Sequence, residues 1–213
     1  MTDPSATRPS GYPVDVDVEP QLSGRNRTTT FFRLILGIPH ILIIGGIANV
    51  GIGFGGARGA GALAGAAFTM AVIAWFALVF TGRHPRGLWD FCAYYLRWLV
   101  RASAYLGLLR DDYPPFGDVA YPTTLGVEYP EAGRDRWSVG QRIIYAIPHA
   151  IVLFFVNIAW FVVTVVAWIS ILLTGEYPPT LYRFSVGALR WNVRVESYLL
   201  LMRDEYPPFR MAP

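Results

Sequence analysis

The feature that most limits what this chain can fold into is a repeat of its own sequence. Residues 12–40 match 121–149 at an offset of 109, with 12 identities in 29 positions, among them Val18-Glu19, Arg25, Arg27, Arg33 and Ile38-Pro39-His40. Residues 74–116 match 167–209 at an offset of 93, with 21 identities in 43. This second block pairs Thr81-Gly82 with Thr174-Gly175, Leu96-Arg97-Trp98 with Leu189-Arg190-Trp191, and Tyr113–Phe116 with Tyr206–Phe209. The offsets differ by 16 (109 − 93), so the first copy carries 16 extra residues between His40 and Ala74. An internal repeat sets the architecture before any single residue does.

Each copy reads as three parts. A short strand comes first: the alternating Val14-Asp15-Val16-Asp17-Val18 in one copy and Thr123–Glu128 in the other. An apolar helical block follows, then a helix with an arginine stripe that Pro114-Pro115 and Pro207-Pro208 are expected to stop. The division is a disordered tail over 1–11, repeat 1 over 12–116, a linker at 117–120, repeat 2 over 121–209 and a C-terminal tail at 210–213.

Composition places the apolar blocks in a membrane. The chain is 54% hydrophobic and 15% charged, against about 25% charged in soluble domains. Over 31–81 and 143–173 the only charges are Arg33 and Arg58. The polar first 30 residues lack a signal-peptide layout. The first apolar block is therefore expected to be an uncleaved anchor, with the N-terminus starting in the cytoplasm. The expected fold is mainly α and integral to a membrane: two tandem strand–transmembrane helix–amphipathic helix repeats. The location is the plasma (inner) membrane, multi-pass.

A span needs about 20 apolar residues. Copy one offers two, 33–54 and 60–81, joined as a hairpin at Gly55–Gly59. Copy two, Ile143–Leu173, reads either as one tilted span bent near Pro148 or as a re-entrant hairpin turning near Asn157. With hairpins in both copies, 17 of the 18 arginines fall on one face and only Arg58 on the other, which the positive-inside rule favours. Both strands then share a face and can pair, giving a pseudo-twofold axis along the membrane normal.

All 18 basic residues are arginine. Arg183, Arg190 and Arg194 fall on one side of a helix, as do Asp90, Arg97 and Arg101 in the other copy. With Trp98 and Trp191 beside them, Arg97, Arg101, Arg190 and Arg194 are candidates to meet anionic lipid headgroups or a partner. The alternative is inward pairing with Asp111, Asp112, Asp204 or Glu205. Arginines beside apolar segments do not form a nucleic-acid patch. His40 and His149, at equivalent places, could ligate a b-type haem from both sides or simply shape a helix entry. Cys92 excludes a disulfide framework or a cysteine zinc site and has no activating partner in sequence. No nucleophile–base pair, phosphate loop or metal cluster is visible.

The run Thr81-Gly82-Arg83-His84-Pro85-Arg86-Gly87-Leu88-Trp89-Asp90-Phe91, then Leu96-Arg97-Trp98, Arg101 and Tyr113–Phe116, resembles a prokaryotic membrane family classed as a domain of unknown function. Its members carry TGxYPxxLxxF…RW…R…YPPF blocks, often duplicated. Val127-Glu128-Tyr129-Pro130 and Ile147-Pro148-His149 match the strand and helix entry that precede such a block. The resemblance spans about 12–209 and implies the repeat architecture without an assigned activity. Interface anchors without catalytic groups point to a non-enzymatic scaffold or accessory subunit, working with lipids and a protein partner or a second copy. The alternatives are a small carrier or lipid-handling protein, and a bis-histidine haem subunit.

Overall fold

The computed structural model describes residues 12–45, 61–117, 119–130 and 136–212. The expected tail at 1–11 and the glycine turn at Gly55–Gly59 lie outside them. The elements are β1 (Val14–Val18), α1 (Arg27–Phe31), α2 (Arg33–Ile44), α3 (Ala62–Thr81), α4 (Arg86–Leu106), β2 (Thr123–Val127), α5 (Arg136–Thr174) and α6 (Pro179–Leu199).

The two expected strands form and pair antiparallel, Val14 opposite Val127 and Val18 opposite Thr123. Their alternation decides which face is covered. Val14, Val16 and Val18 are buried, while Asp17, Thr124 and Gly126 point to solvent. The central pair is Val16 with Leu125, equivalent positions at the 109-residue offset. The register therefore maps onto itself when the copies are exchanged, and a local twofold axis passes through this pair.

The apolar block of copy two is neither hairpin nor re-entrant loop. It is one helix, α5, of 39 residues with Pro148 inside it. Asn157 lacks the small, turn-forming neighbours a reversal needs, and its side chain is instead tied to Asn192 of α6 by reciprocal amide hydrogen bonds of 3.1 and 2.8 Å.

Copy one is not a hairpin of two spans either. Along α4, Cys92 Sγ approaches the Ala67 carbonyl at 3.9 Å, Trp98 reaches His40, and Tyr105 lies under Arg33. As α4 advances, its partners thus descend through α3 and then α2, so those two helices stand end to end beside an antiparallel α4. The abutment is close: at Gly61, a side chain would collide with the backbone of Ile43, Ile44 and Gly45. The buried positions Arg33, Gly37, His40, Ile44, then Ala64, Ala67, Ala71, Ala74 and Leu78, carry the pattern of α5. Their equivalents are Arg142, Ala146, His149, Leu153, Asn157, Trp160, Thr164, Ala167 and Ile171, all buried except the half-buried Thr164. With residues 45–60 taken out, the spacing runs through unbroken. α2 and α3 therefore correspond to the two parts of one long helix like α5, and residues 46–54 of the expected first span lie outside the described residues.

Three layers result. The strand pair rests on α4 and α6, β1 on α6 and β2 on α4, so each copy lends its strand to the other copy's helix. α4 and α6 in turn pack on α2–α3 and α5. The core joins Val14, Val16 and Val18 to Val100, Ala104, Leu189 and Val193 beneath them, with Trp160 and Ile171 of α5.

α4 and α6 end at Leu106 and Leu199, well before the double prolines expected to stop them. The chain turns instead at Leu108 (φ 62°) and Leu201 (φ 61°). A left-handed backbone is costly for leucine. Both side chains are buried, which holds the turn in place. The Thr-Gly helix ends form as expected, with Gly82 and Gly175 left-handed.

Candidate functional site

Two equivalent side-chain clusters gather the repeat's scattered motifs. In the first, Trp98 Nε1 donates to His40 Nδ1 at 3.2 Å, Phe116 stacks on the imidazole at 5.0 Å between centroids and 12°, and Tyr113 closes the side. In the second, Trp191 Nε1 donates to His149 Nδ1 at 3.2 Å, Phe209 stacks at 3.9 Å and 12°, and Tyr206 takes the place of Tyr113. Nδ1 accepts in both, so the neutral ring carries its proton on Nε2. Pro-His, Arg-Trp and Tyr-Pro-Pro-Phe are thus one packing unit, used twice. The two clusters share no residue, so the structure does not bring His40 and His149 together.

A second equivalent pair lies at the helix ends. Arg33 binds Asp111 Oδ1 at 2.6 Å and the Arg110 carbonyl at 3.1 Å, with its guanidinium 4.1 Å from the centre of the Tyr105 ring. Arg142 binds Asp204, the Arg203 and Tyr198 carbonyls, and the face of Tyr198. In copy one Arg25 joins the same carboxylate at 2.8 Å and reaches the Leu108 carbonyl at 2.6 Å, while Asp111 Oδ2 accepts the Asn26 amide. Burial lowers the pKa of Arg25, and Asp111 offsets part of that shift. A buried guanidinium needs this density of acceptors. Sequence reading saw Arg33 and Arg142 only as repeat identities. Their place at the head of the apolar blocks, where an unpaired charge is costly, was the available signal.

The arginine-stripe helices are the middle layer, between the strands and the long helices. Arg190 Nε donates to the Val16 carbonyl at 2.7 Å and its guanidinium approaches Asp17 at 3.4 Å. Arg194 reaches the Val14 carbonyl, at 3.5 Å, and holds the C-terminus through the Ala212 carbonyl at 2.9 Å. Arg97 and Arg101 face β2 across a cavity of about 30 Å³, and Arg101 donates to the Gly117 carbonyl at 2.8 Å. Trp98 and Trp191 are taken up by the histidines. The six residues expected to meet lipid or partner therefore face the protein. For Arg190 and Arg194 the physical reason is β1, whose carbonyls satisfy guanidinium groups that helix-end carboxylates do not reach.

The acids Asp111 and Asp204 pair with Arg33 and Arg142, and Asp112 and Glu205 with Arg110 and Arg203. Trp168 Nε1 donates to the Thr30 carbonyl, and Trp75 packs in the same cluster as Val139. Thr30 and Val139 are equivalent, so these tryptophans lock the two ends of the long helices together. Burial pushes the Cys92 thiol up to about 12, away from thiolate chemistry. Among the described residues, no group of three or more histidines, cysteines or acids is placed to hold a metal ion.

What stays open is the outer face of α2, α3 and α5. Ile144, Ile147, Ile151, Phe155, Ile158, Val162, Val165, Ile169 and Leu173 form an exposed stripe down α5. Ile35, Ile38, Leu42, Val72, Phe76 and Phe80 occupy equivalent positions on α2 and α3. No exposed described residue of 34–81 or 144–174 is charged. Ala62–Thr81 and Val139–Thr174 are each long and apolar enough to cross a membrane.

The model of the family described as Domain of unknown function (DUF4389) matches residues 60–117 and 136–210. The chain belongs to that family. The first match opens where the long helix of copy one resumes after its interruption. No curated protein and no solved structure matches the chain.

Proposed function

We propose that the protein is a membrane-seated, non-enzymatic scaffold or accessory subunit of the plasma (inner) membrane, with its strand side toward the cytoplasm. The observation that carries this reading is the exposed apolar stripe on α2, α3 and α5. Contiguous apolar surface of this extent marks a lipid or protein contact. The helices that face lipid are these, and the arginine stripe acts inward to fasten the strands. The groups with chemical potential are engaged in structure: the histidines under Trp98 and Trp191, the acids with arginine, the thiol in the core.

A carrier would need space between the repeats. Among the described residues, two cavities between the repeats, of about 30 and 10 Å³, have room for a water molecule or two. Acidic lipids and a protein partner or second copy are the expected associates.

The test is purification of the tagged protein from its own membranes in mild detergent after an alkaline carbonate wash, with co-purifying species identified. The protein is expected to resist the wash and to bring down a stoichiometric protein partner. Release by the wash would end the membrane reading. Turnover or transport by the protein alone would end the scaffold reading.

A further inference from the structure

We propose that the protein lies within one leaflet of the bilayer, seated on the outer face of α2, α3 and α5 with its twofold axis along the membrane normal. The proposal rests on the membrane-seated reading and adds its orientation. Hydropathy alone would have the long helices cross, and the geometry argues against it.

The first argument is direction. Trp168 near the end of α5 meets Thr30 at the start of copy one's long helix, and Trp75 near the end of α3 packs with Val139 at the start of α5. The two long helices therefore run antiparallel, and the axis that exchanges them is perpendicular to both. A crossing orientation would place that axis in the membrane plane.

The second is level. Asn157, at the middle of α5, bonds Asn192 of α6. Two residues to either side of Asn192 stand Arg190 and Arg194, which hold β1. The strand pair thus sits over the mid-length of the long helices. In a crossing protein, Asp17, with 68% of its side chain exposed, and the neighbouring Glu19, at 69%, would face hydrocarbon near the bilayer centre. Charges there need internal partners or water. Laid flat, the same residues stand on the side away from the lipid.

The third is length. At 1.5 Å per residue the 39 residues of α5 extend about 58 Å, nearly twice the ~30 Å hydrocarbon core. Its exposed stripe from Ile144 to Leu173 alone covers about 44 Å, more than a span tilted by 40° requires. A helix lying in the membrane plane has no such limit.

The occupant of this face is the acyl-chain layer of one leaflet. Its rim fits headgroups: exposed Arg27 and Arg83 lie at the ends of the copy-one helix, and half-exposed Tyr113, Phe116, Tyr206 and Phe209 stand beside α2 and α5.

The test uses the full chain in vesicles of phosphatidylcholine and phosphatidylglycerol. Nitroxide labels go on at Ile144→Cys, Phe155→Cys, Leu173→Cys and Asp17→Cys, one at a time, in a Cys92→Ser background. Serine already fills the equivalent buried position, Ser185. Depth is read from collision with oxygen and with a water-soluble nickel chelate. The three α5 labels are expected at similar depth in lipid, and the Asp17→Cys label fully open to nickel. A profile deepest at Phe155→Cys, with Ile144→Cys and Leu173→Cys near opposite surfaces and Asp17→Cys shielded, would overturn the orientation and establish crossing. Protein that fails to float with the vesicles would overturn the membrane reading itself.

Discussion

Val16 lies opposite Leu125 at the centre of the strand pair, and the two occupy the same position in the two copies. That single pairing fixes the axis about which the protein is organised. It also explains why neither copy closes alone: β1 of the first copy is fastened by Arg190 and Arg194 of the second. The register is testable by cross-linking. Asp17→Cys with Thr124→Cys, directly opposed on the solvent face, is expected to form a disulfide on mild oxidation. Asp17→Cys with Leu125→Cys is expected to stay reduced, because a one-residue slip moves the second thiol to the other face. Equal cross-linking of both pairs would contradict the register.

The interrupted helix predicts that copy one tolerates a large deletion. Removing residues 45–60 joins Ile44 to Gly61 in the spacing of Leu153 and Phe154. Unfolding in detergent is expected to change by no more than about 1 kcal/mol, since loop length contributes only ~0.6 kcal/mol per doubling. Aggregation or loss of the cooperative transition would contradict the end-to-end arrangement.

Asp111 and Asp204 are equivalent but unequally exposed. Asp111 binds two buried arginines with 12% of its side chain exposed, while Asp204, which binds Arg142, has 33% exposed. Asp111→Asn is expected to cost about 3–5 kcal/mol, as for a broken buried pair, and Asp204→Asn clearly less. Thermal unfolding of the two variants side by side checks this. Equal losses would contradict the greater weight that deeper burial gives Asp111.

The strand side carries the alkaline limit of the fold. Burial raises Tyr177 and Tyr182 to about 12 from 10, with Tyr177 bonded to Ser185 and Tyr182 to the Val18 carbonyl. The unfolded chain therefore loses these protons first. Their contribution to stability is complete below pH 10 and disappears as pH rises from 10 through about 12. A pH series of unfolding, followed beside tyrosinate absorbance, is expected to show stability falling across that window. A tyrosinate step near pH 10, before unfolding, that shrinks in a Tyr177→Phe, Tyr182→Phe double variant would contradict their burial.

Trp98 and Trp191 fix the histidine tautomer. Nitrogen NMR of the labelled protein at neutral pH is expected to show both rings protonated on Nε2. Trp98→Phe should free the His40 ring at a cost of about 1 kcal/mol, the net worth of one hydrogen bond. Rings protonated on Nδ1 in the parent protein would rule out the Trp–His bond.

The duplication, the two strands and their pairing were legible because sequence identity and alternation are local signals. The helix of copy one was not. Glycine-rich apolar sequence of that length satisfies the requirement for two spans. Only the match of 44 to 153 and 61 to 154, with burial running through the join, reveals one helix. The continuous α5 is an open alternative in sequence, which arginine placement, taken as membrane sidedness, favours less than a hairpin. Arg190 and Arg194 answer to the strand carbonyls instead. The histidine clusters join residues 42–76 positions apart, so His40 and Phe116 look unrelated until the fold brings them together.

The most direct test of the account is polarised infrared dichroism of the protein in a supported bilayer. α4 runs antiparallel to α2 and α3, α6 to α5, and the two long helices to each other, so all of the helices tilt together relative to the membrane. The account predicts amide I transition moments lying in the membrane plane. Moments aligned with the membrane normal would show that the helices cross, and would contradict it.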